Sequence, residues 1–141
     1  MTTSLDVTDY GMAGYPWDED PVSPPPDEVK ICKEWITEWI ERQDKINPQY
    51  HSYGLKHAVE AARRQYVSNG AFIQAAIELG YKYKRCRKPD GPNACFNMSF
   101  KRLKSYLISQ LGQEARTLPL DESFRRIRED DAPLPRPRVK G

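Results

Sequence analysis

Several common signals are missing from this 141-residue sequence, and each absence argues against a class of protein. No uninterrupted apolar run approaches the roughly 20 residues that cross a bilayer, and residues 1–9 contain neither a basic start nor an apolar leader segment. The cysteines Cys32, Cys86 and Cys95 form no CxxC pair, which argues against a disulfide framework and a closed zinc site. We therefore expect a cytoplasmic protein with reduced thiols and no membrane contact.

Catalytic motifs are also missing. The chain contains no GxGxxG, no GxxxxGK[ST] and no HExxH. His51 and His57 are six residues apart and do not share a helical face, and the spacing of Cys86 and Cys95 matches no common zinc pattern. We predict a binding module that is not an enzyme and that needs no metal or cofactor.

Charge is abundant but unevenly distributed along the chain. The net charge is +2. Residues 1–28 hold seven acidic residues and no Lys or Arg, residues 29–113 hold fifteen basic against seven acidic residues, and residues 114–141 hold seven against six. This asymmetry indicates a polyanionic partner for the middle of the chain, or screening of the middle by the acidic segment.

The two ends are rich in proline and poor in aliphatic residues. We expect residues 1–28 to be a disordered acidic tail, with Pro24-Pro25-Pro26 in a polyproline conformation, because such a segment cannot offset its ordering entropy. Residues 114–141 are predicted to be a flexible arm, on which Leu118, Leu120, Phe124 and Ile127 dock weakly at most. The predicted folded core is residues 29–113.

Helical periodicity dominates the first half of this core. Residues 28–46 place Ile31, Trp35 and Trp39 every four positions, which predicts an amphipathic helix that Asn47-Pro48 ends. A second helix is predicted to start with Ser52 as its cap; it turns Leu55, Ala58, Val59, Ala62 and Tyr66 inward and Lys56, Glu60, Arg63 and Arg64 outward. A short third helix, residues 70–79, is capped by Ser68 or Asn69 and ended by Gly80.

A β-hairpin and a last helix complete the predicted core. Tyr81 to Arg85 alternates aromatic and basic residues, Pro89-Asp90-Gly91-Pro92 is a turn signal, and the hairpin is predicted over residues 81–98. The last helix is capped by Ser99 and ends at Gly112. The fold class is thus mainly α with one β-hairpin (α+β). The element order resembles a winged helix-turn-helix, in which a tight helix pair precedes a basic hairpin.

A second resemblance concerns residues 52–98, about a third of the chain. The segments SYGLKH, NGAFI and GPNA in this region are similar to small uncharacterised proteins of bacterial plasmids and phages. This resemblance implies a mobile-element setting, where DNA-binding regulators and inhibitors of host systems are both common. It implies no activity.

The densest positive charge lies between Lys82 and Lys104, where eight basic residues face the single acid Asp90. We predict a DNA-binding protein, a regulator of a mobile element, whose hairpin and last-helix N-terminus bind phosphates. The ends of the second and third helices are predicted to approach the groove, where Arg and Asn side chains contact bases. Tyr81 and Tyr83 would stack on bases or pack in the core. The predicted phosphate contacts are Lys82, Lys84, Arg85, Arg87, Lys88, Lys101, Arg102 and Lys104, and the predicted base contacts are Arg63, Arg64, Asn69, Asn93 and Asn97.

An alternative needs no nucleic acid. The acidic, aromatic stretch Tyr15, Trp17, Asp18, Glu19 and Asp20 is typical of a peptide that docks on a partner protein. Trp35 and Trp39 would join a partner surface if other helices left them uncovered, although core packing is the better interpretation. The chain would then be a small interaction or inhibitor protein that binds a host or phage protein. The acidic segment could equally lie over the hairpin and inhibit it, but only in direct contact, because salt screens charges beyond about 8 Å.

Overall fold

A computed structural model of the chain describes residues 7–8, 11–12, 23–86 and 92–130; residues 128–130 are described by their backbone alone. Within them the fold is α+β, with five α-helices, one 3-10 helix and two small antiparallel sheets. None of the described helices is both long enough and apolar enough to span a membrane. The elements, in chain order, are β1 (Val7–Thr8), β2 (Gly11–Met12), α1 (Pro26–Trp39), β3 (Glu41–Asn47), α2 (Ser52–Arg63), α3 (Asn69–Glu78), β4 (Tyr83–Arg85), β5 (Ala94–Ser99), α4 (Lys101–Leu111), the 3-10 helix Gly112–Arg116 and α5 (Leu120–Asp130).

Helix α1 is shorter than predicted. Pro26 occupies its first turn, where a missing N–H costs nothing, and Asp27 and Glu28 there complement the helix dipole. The helix ends at Trp39, and Ile40 is already extended. The expected continuation to residue 46 is wrong, because residues 41–47 form strand β3 instead.

The main sheet has the strand order β3-β5-β4, and all its pairs are antiparallel. Its β4–β5 hairpin confirms the predicted one, with Tyr83 opposite Phe96 and Arg85 opposite Ala94. Strand β3 adds the third strand and pairs Glu41 with Ser99, with an irregularity before Asn47. The central strand β5 is thereby hydrogen-bonded on both edges and is almost completely buried.

Helices α2 and α3 begin and end close to the predicted residues. Ser68 caps α3 by accepting a hydrogen bond from the Ala71 N–H at 3.0 Å, and Gly80 follows with φ +91°. Ser52 lies inside α2 rather than capping it; its buried hydroxyl accepts the Ala94 N–H at 3.1 Å and ties α2 to β5. Two expected orientations on or beside α2 are wrong: Lys56 is buried, and Tyr66 is 63% exposed because the chain turns at Arg64 in the left-handed conformation.

Helix α4 ends as predicted, at Gly112 with φ +80°. Its N-cap is Phe100 rather than Ser99, although the Ser99 hydroxyl accepts the Lys101 N–H at 3.4 Å. Phe100 is buried and packs edge-on against Tyr50, with ring centroids 4.9 Å apart. Apolar packing therefore sets the start of this helix.

The C-terminal part of the chain contradicts the expected flexible arm up to residue 130. Helix α5 packs along α2 and buries Leu120, Phe124 and Ile127. The Phe124 ring lies edge-on to Trp35 and Trp39, at centroid distances of 6.4 and 5.9 Å. The folded core therefore extends past residue 113, and Trp35 and Trp39 are interior residues rather than a partner surface.

The N-terminal segment also departs from the expected disordered tail wherever it is described. Strands β1 and β2 pair with each other, and Val7, Thr8 and Met12 are buried against α3. The Met12 N–H donates to the Pro92 carbonyl at 2.8 Å. Part of the N-terminal segment thus contacts the chain beside the β4–β5 hairpin loop.

Candidate nucleic-acid interface

Strand β4 places basic side chains along an open edge of the main sheet. Lys82 and Lys84 are exposed, and Arg85 is half-buried. The Lys82 ammonium donates to the Asp44 carbonyl of β3 at 3.3 Å, so it reaches across the sheet toward the opposite edge. The hairpin edge therefore presents flexible cations, which suit phosphate groups.

The two tyrosines beside these cations have different surroundings. Tyr81 is buried, and the Arg42 guanidinium lies over its ring at 4.2 Å from the centroid. Burial raises the pKa of the Tyr81 phenol. Tyr83 is 43% exposed. Of the two, Tyr83 alone is placed to stack on a base, and Tyr81 is a core residue.

A groove joins β3 to the start of α4 and has a volume of about 330 Å³. Gln43 and Asn47 line it on the β3 side, and Lys101 and Lys104 line it on the α4 side, with Arg116 of the 3-10 helix. The Lys104 ammonium donates to the Ala115 carbonyl at 3.0 Å, which holds it beside Arg116. We group these cations with those beside and on β4 and with Arg102 of α4 under the name basic surface: Lys82, Lys84, Arg85, Lys101, Arg102, Lys104 and Arg116.

Most of the basic surface lacks acidic partners. Lys82, Lys84, Lys101, Arg102 and Lys104 form no ion pair with any carboxylate in the described part of the chain. Several other charged residues do pair with each other, as in Lys33–Glu78 at 2.6 Å and Arg126–Glu122 at 3.1 Å. Cations without a described carboxylate partner therefore lie beside and on β4 and on α4.

The predicted base-reading asparagines are not displayed at the surface. Asn97 is 3% exposed, and its side chain accepts the Lys82 N–H at 2.7 Å and donates to the Gln43 carbonyl at 2.8 Å. Asn69 is buried and donates to the Asn93 side-chain oxygen at 3.0 Å. Asn97 therefore links β5 to β3 and to Lys82, the residue before β4, and Asn69 and Asn93 connect α3 to the hairpin, so the structure uses these amides internally.

The two arginines that end α2 differ from each other. Arg63 donates to Glu38 at 2.8 Å and to Glu34 at 3.3 Å, which ties α2 to α1. Hydrogen bonds from Lys30 and Arg63 hold the pKa of Glu34 below its usual range, with Lys30 the larger cause. Arg64 is exposed in the left-handed conformation. Arg64 thus stays available for a ligand, whereas Arg63 is engaged in the fold.

Some predicted residues lie outside the described ranges. These are Arg87 and Lys88 of the hairpin loop and the N-terminal set Tyr15, Trp17, Asp18, Glu19 and Asp20. Conversely, sequence reasoning missed Gln43, Asn47 and Arg116, which line the groove. Their positions depend on β3 and the 3-10 helix, and neither element has an apolar periodicity that would have predicted it.

No metal-ligand group is formed by the described side chains. His57 contacts Glu60 through Nδ1 at 3.0 Å and lies edge-on to Tyr53, on the surface of α2 and remote in sequence from the cysteines. Comparisons of the chain with protein-family models, curated proteins and solved structures found no match. The resemblance to plasmid and phage proteins therefore stays a prediction.

Proposed function

We propose that this protein binds DNA through phosphate contacts made by the basic surface, as a small regulator of a mobile element. The observation that carries the proposal is a set of cations beside and on β4 and on α4, namely Lys82, Lys84, Lys101, Arg102 and Lys104, that form no ion pair with a described carboxylate. A phosphate backbone supplies the missing negative charge, and its binding releases condensed counterions. The N-terminal turn of α4, which begins at the exposed Lys101, adds backbone N–H groups that favour phosphate.

The topology supports a winged helix-turn-helix arrangement. The helix pair α2–α3 is followed at once by the β4–β5 hairpin, and β3 precedes the pair and completes the sheet beside β5. In this arrangement the hairpin corresponds to the wing. Its basic residues would then lie along the DNA backbone.

The packing of α3 argues that the sheet, rather than α3, is the main DNA contact. The β1–β2 pair packs against α3, and most residues of α3 are buried. Of its more accessible side chains, Gln74 donates to Glu78 at 2.6 Å, and Glu78 pairs with Lys33. A face whose one charged side chain is a glutamate already paired with Lys33 is poorly suited to a groove lined by phosphates. We therefore propose backbone-dominated binding with little base readout.

The salt dependence of binding tests this proposal. Replacement of Lys84, Lys101 and Lys104 by Ala removes three phosphate contacts and should lower the slope of log affinity against log salt by about three units. A matched variant removes the same charge from paired positions, Lys30, Lys33 and Arg125, and should leave the slope almost unchanged. A gel shift on random duplex DNA at several salt concentrations measures both. Equal slopes in the two triple variants would remove the proposal.

A second candidate function is a small interaction or inhibitor protein that binds a host or phage protein. The observation in its favour is that Tyr53 and Tyr66 are 50% and 63% exposed and flank the buried Lys56, whose ammonium lies 5.5 and 4.7 Å from their ring centroids. Exposed tyrosines are enriched in interface hot spots. Under this candidate, the Tyr53→Ala/Tyr66→Ala variant loses capture of the partner and keeps its DNA affinity. Under the DNA proposal, the variant with Lys84, Lys101 and Lys104 replaced by Ala loses DNA affinity and keeps capture of the partner.

A further inference from the structure

Two cysteine side chains meet at the loop end of the β4–β5 hairpin. Cys86 directly follows β4, Cys95 is the second residue of β5, and their Sγ atoms are 3.2 Å apart. The backbone on both sides is fixed, because the Cys86 N–H donates to the Asn93 carbonyl at 3.0 Å and Lys84 stands opposite Cys95 in the strand register. The two Sγ atoms need to approach each other by about 1 Å more to reach the S–S bond length of about 2.0 Å.

We propose that Cys86 and Cys95 form a reversible disulfide site, oxidised by a small-molecule disulfide such as glutathione disulfide. The bond would close the hairpin covalently between β4 and β5. The inference does not rest on the proposed function, since its test follows thiols rather than nucleic acid.

The reaction balances as two successive thiol–disulfide exchanges. The Cys86 thiolate attacks one sulfur of glutathione disulfide, forms a mixed disulfide and releases one glutathione thiolate. The Cys95 thiolate then attacks the Cys86 sulfur, forms the protein disulfide and releases the second glutathione. Two electrons pass from the protein thiols to the small disulfide, and the two thiol protons end on the two glutathione molecules.

Burial sets the order of attack and provides an internal control. Cys86 is half-buried and reachable by a small oxidant, whereas Cys95 is 8% exposed and is placed to attack from inside. Cys32 is completely buried on α1, and burial raises its pKa to about 12, so it offers almost no thiolate. Two neighbouring cysteines are thus arranged to react while the third is kept inert.

The experiment treats the full chain with glutathione redox buffers and follows the thiols by alkylation, peptide mapping and mass spectrometry. The expected product has lost two hydrogens, carries a Cys86–Cys95 linkage and keeps one alkylatable thiol, Cys32, after denaturation. Cys95→Ser should stop at the mixed disulfide on Cys86. Cys86→Ser should form a mixed disulfide at Cys95 about tenfold more slowly, because access limits the attack.

The control variant Cys32→Ala should oxidise like the parent chain. Cys95→Ala serves in place of Cys95→Ser if the serine variant does not fold. Oxidation that gives stable mixed disulfides on the parent chain, intermolecular dimers, or any linkage to Cys32 would overturn the proposal.

Discussion

Phe124→Ala tests the most consequential feature of the fold, the incorporation of α5 into the core. The Phe124 side chain is fully buried, and its ring packs edge-on against Trp35 and Trp39. Truncation to Ala removes the transfer free energy of the ring and leaves a cavity between three helices, which costs about 3–5 kcal/mol. Since small domains have about 5–15 kcal/mol of total stability, the variant should lose a large part of it.

The measurement is denaturant unfolding followed by far-UV circular dichroism and tryptophan fluorescence. The midpoint should fall, and the melting temperature should drop by on the order of 10 °C. Tyr66→Ala is the control, because this aromatic residue is largely exposed; the loss of its contact with Lys56 should cost below about 1 kcal/mol. A Phe124→Ala variant as stable as the parent chain would refute the placement of α5 in the cooperative core.

Two further substitutions test the N-terminal strands and one ion pair. Gly11→Ala should release β1–β2 from α3, because Gly11 has φ +136° and a Cβ there would overlap the Pro92 carbonyl oxygen. Hydrogen exchange at the Met12 amide should therefore accelerate. The control is Gly54→Ala, which has open space at its Cβ and should leave this exchange rate unchanged. For Glu78, hydrogen bonds from Lys33 and Gln74 lower the pKa below its ordinary 4.5. Because the pKa of Glu78 is lowered in the folded state, its carboxylate stabilises the protein above pH 4.5, and this contribution is lost as the pH falls through the lowered pKa. Thermal melts of Glu78→Gln should therefore show a lower melting temperature than the parent at neutral pH and the same melting temperature below pH 4.5. An equal difference at both pH values would contradict the pairing with Lys33.

Local sequence patterns were sufficient to predict the elements for which the spacing of apolar residues and the capping or turn residues indicate the same bounds. For α3, the Ser68 cap and Gly80 bracket a short apolar helix, and both play these roles in the structure. The hairpin followed from its alternating residues and its turn signal. These features are set by residues close in sequence, which is why one sequence was enough to place them.

Strand β3 could not be predicted from its own residues. Its sequence, ERQDKIN, contains one aliphatic residue and no alternation of apolar and polar positions. It becomes a strand because β5, more than fifty residues later, offers it an unpaired edge; Asn97 of β5 donates to the Gln43 carbonyl and Asn47 to the Met98 carbonyl. Such long-range pairing overrides weak local preference.

Helix α5 is a different kind of error, because its signal was present in the sequence. Leu120, Phe124 and Ile127 are spaced by four and three residues, as on one helix face. The proline-rich end after residue 130 favoured a flexible arm in the prediction. The charged residues in fact pair along the helix, as Arg125 does with Asp121 and Glu122, and leave the apolar stripe to pack on α2.

A count of charged residues along the sequence indicates the region of a candidate binding surface, but it does not identify which residues in that region can bind. In sequence, Arg63 and Lys101 are equivalent positive residues, but the fold places Arg63 between Glu34 and Glu38 and leaves Lys101 beside a groove with no described carboxylate partner. A paired cation must give up its partner before it binds phosphate, whereas an unpaired one releases only water and counterions. Under the proposed DNA binding, tertiary pairing rather than local charge density therefore selects the residues that contact phosphate. By that criterion, Lys84, Lys101 and Lys104 should affect affinity more than Arg63.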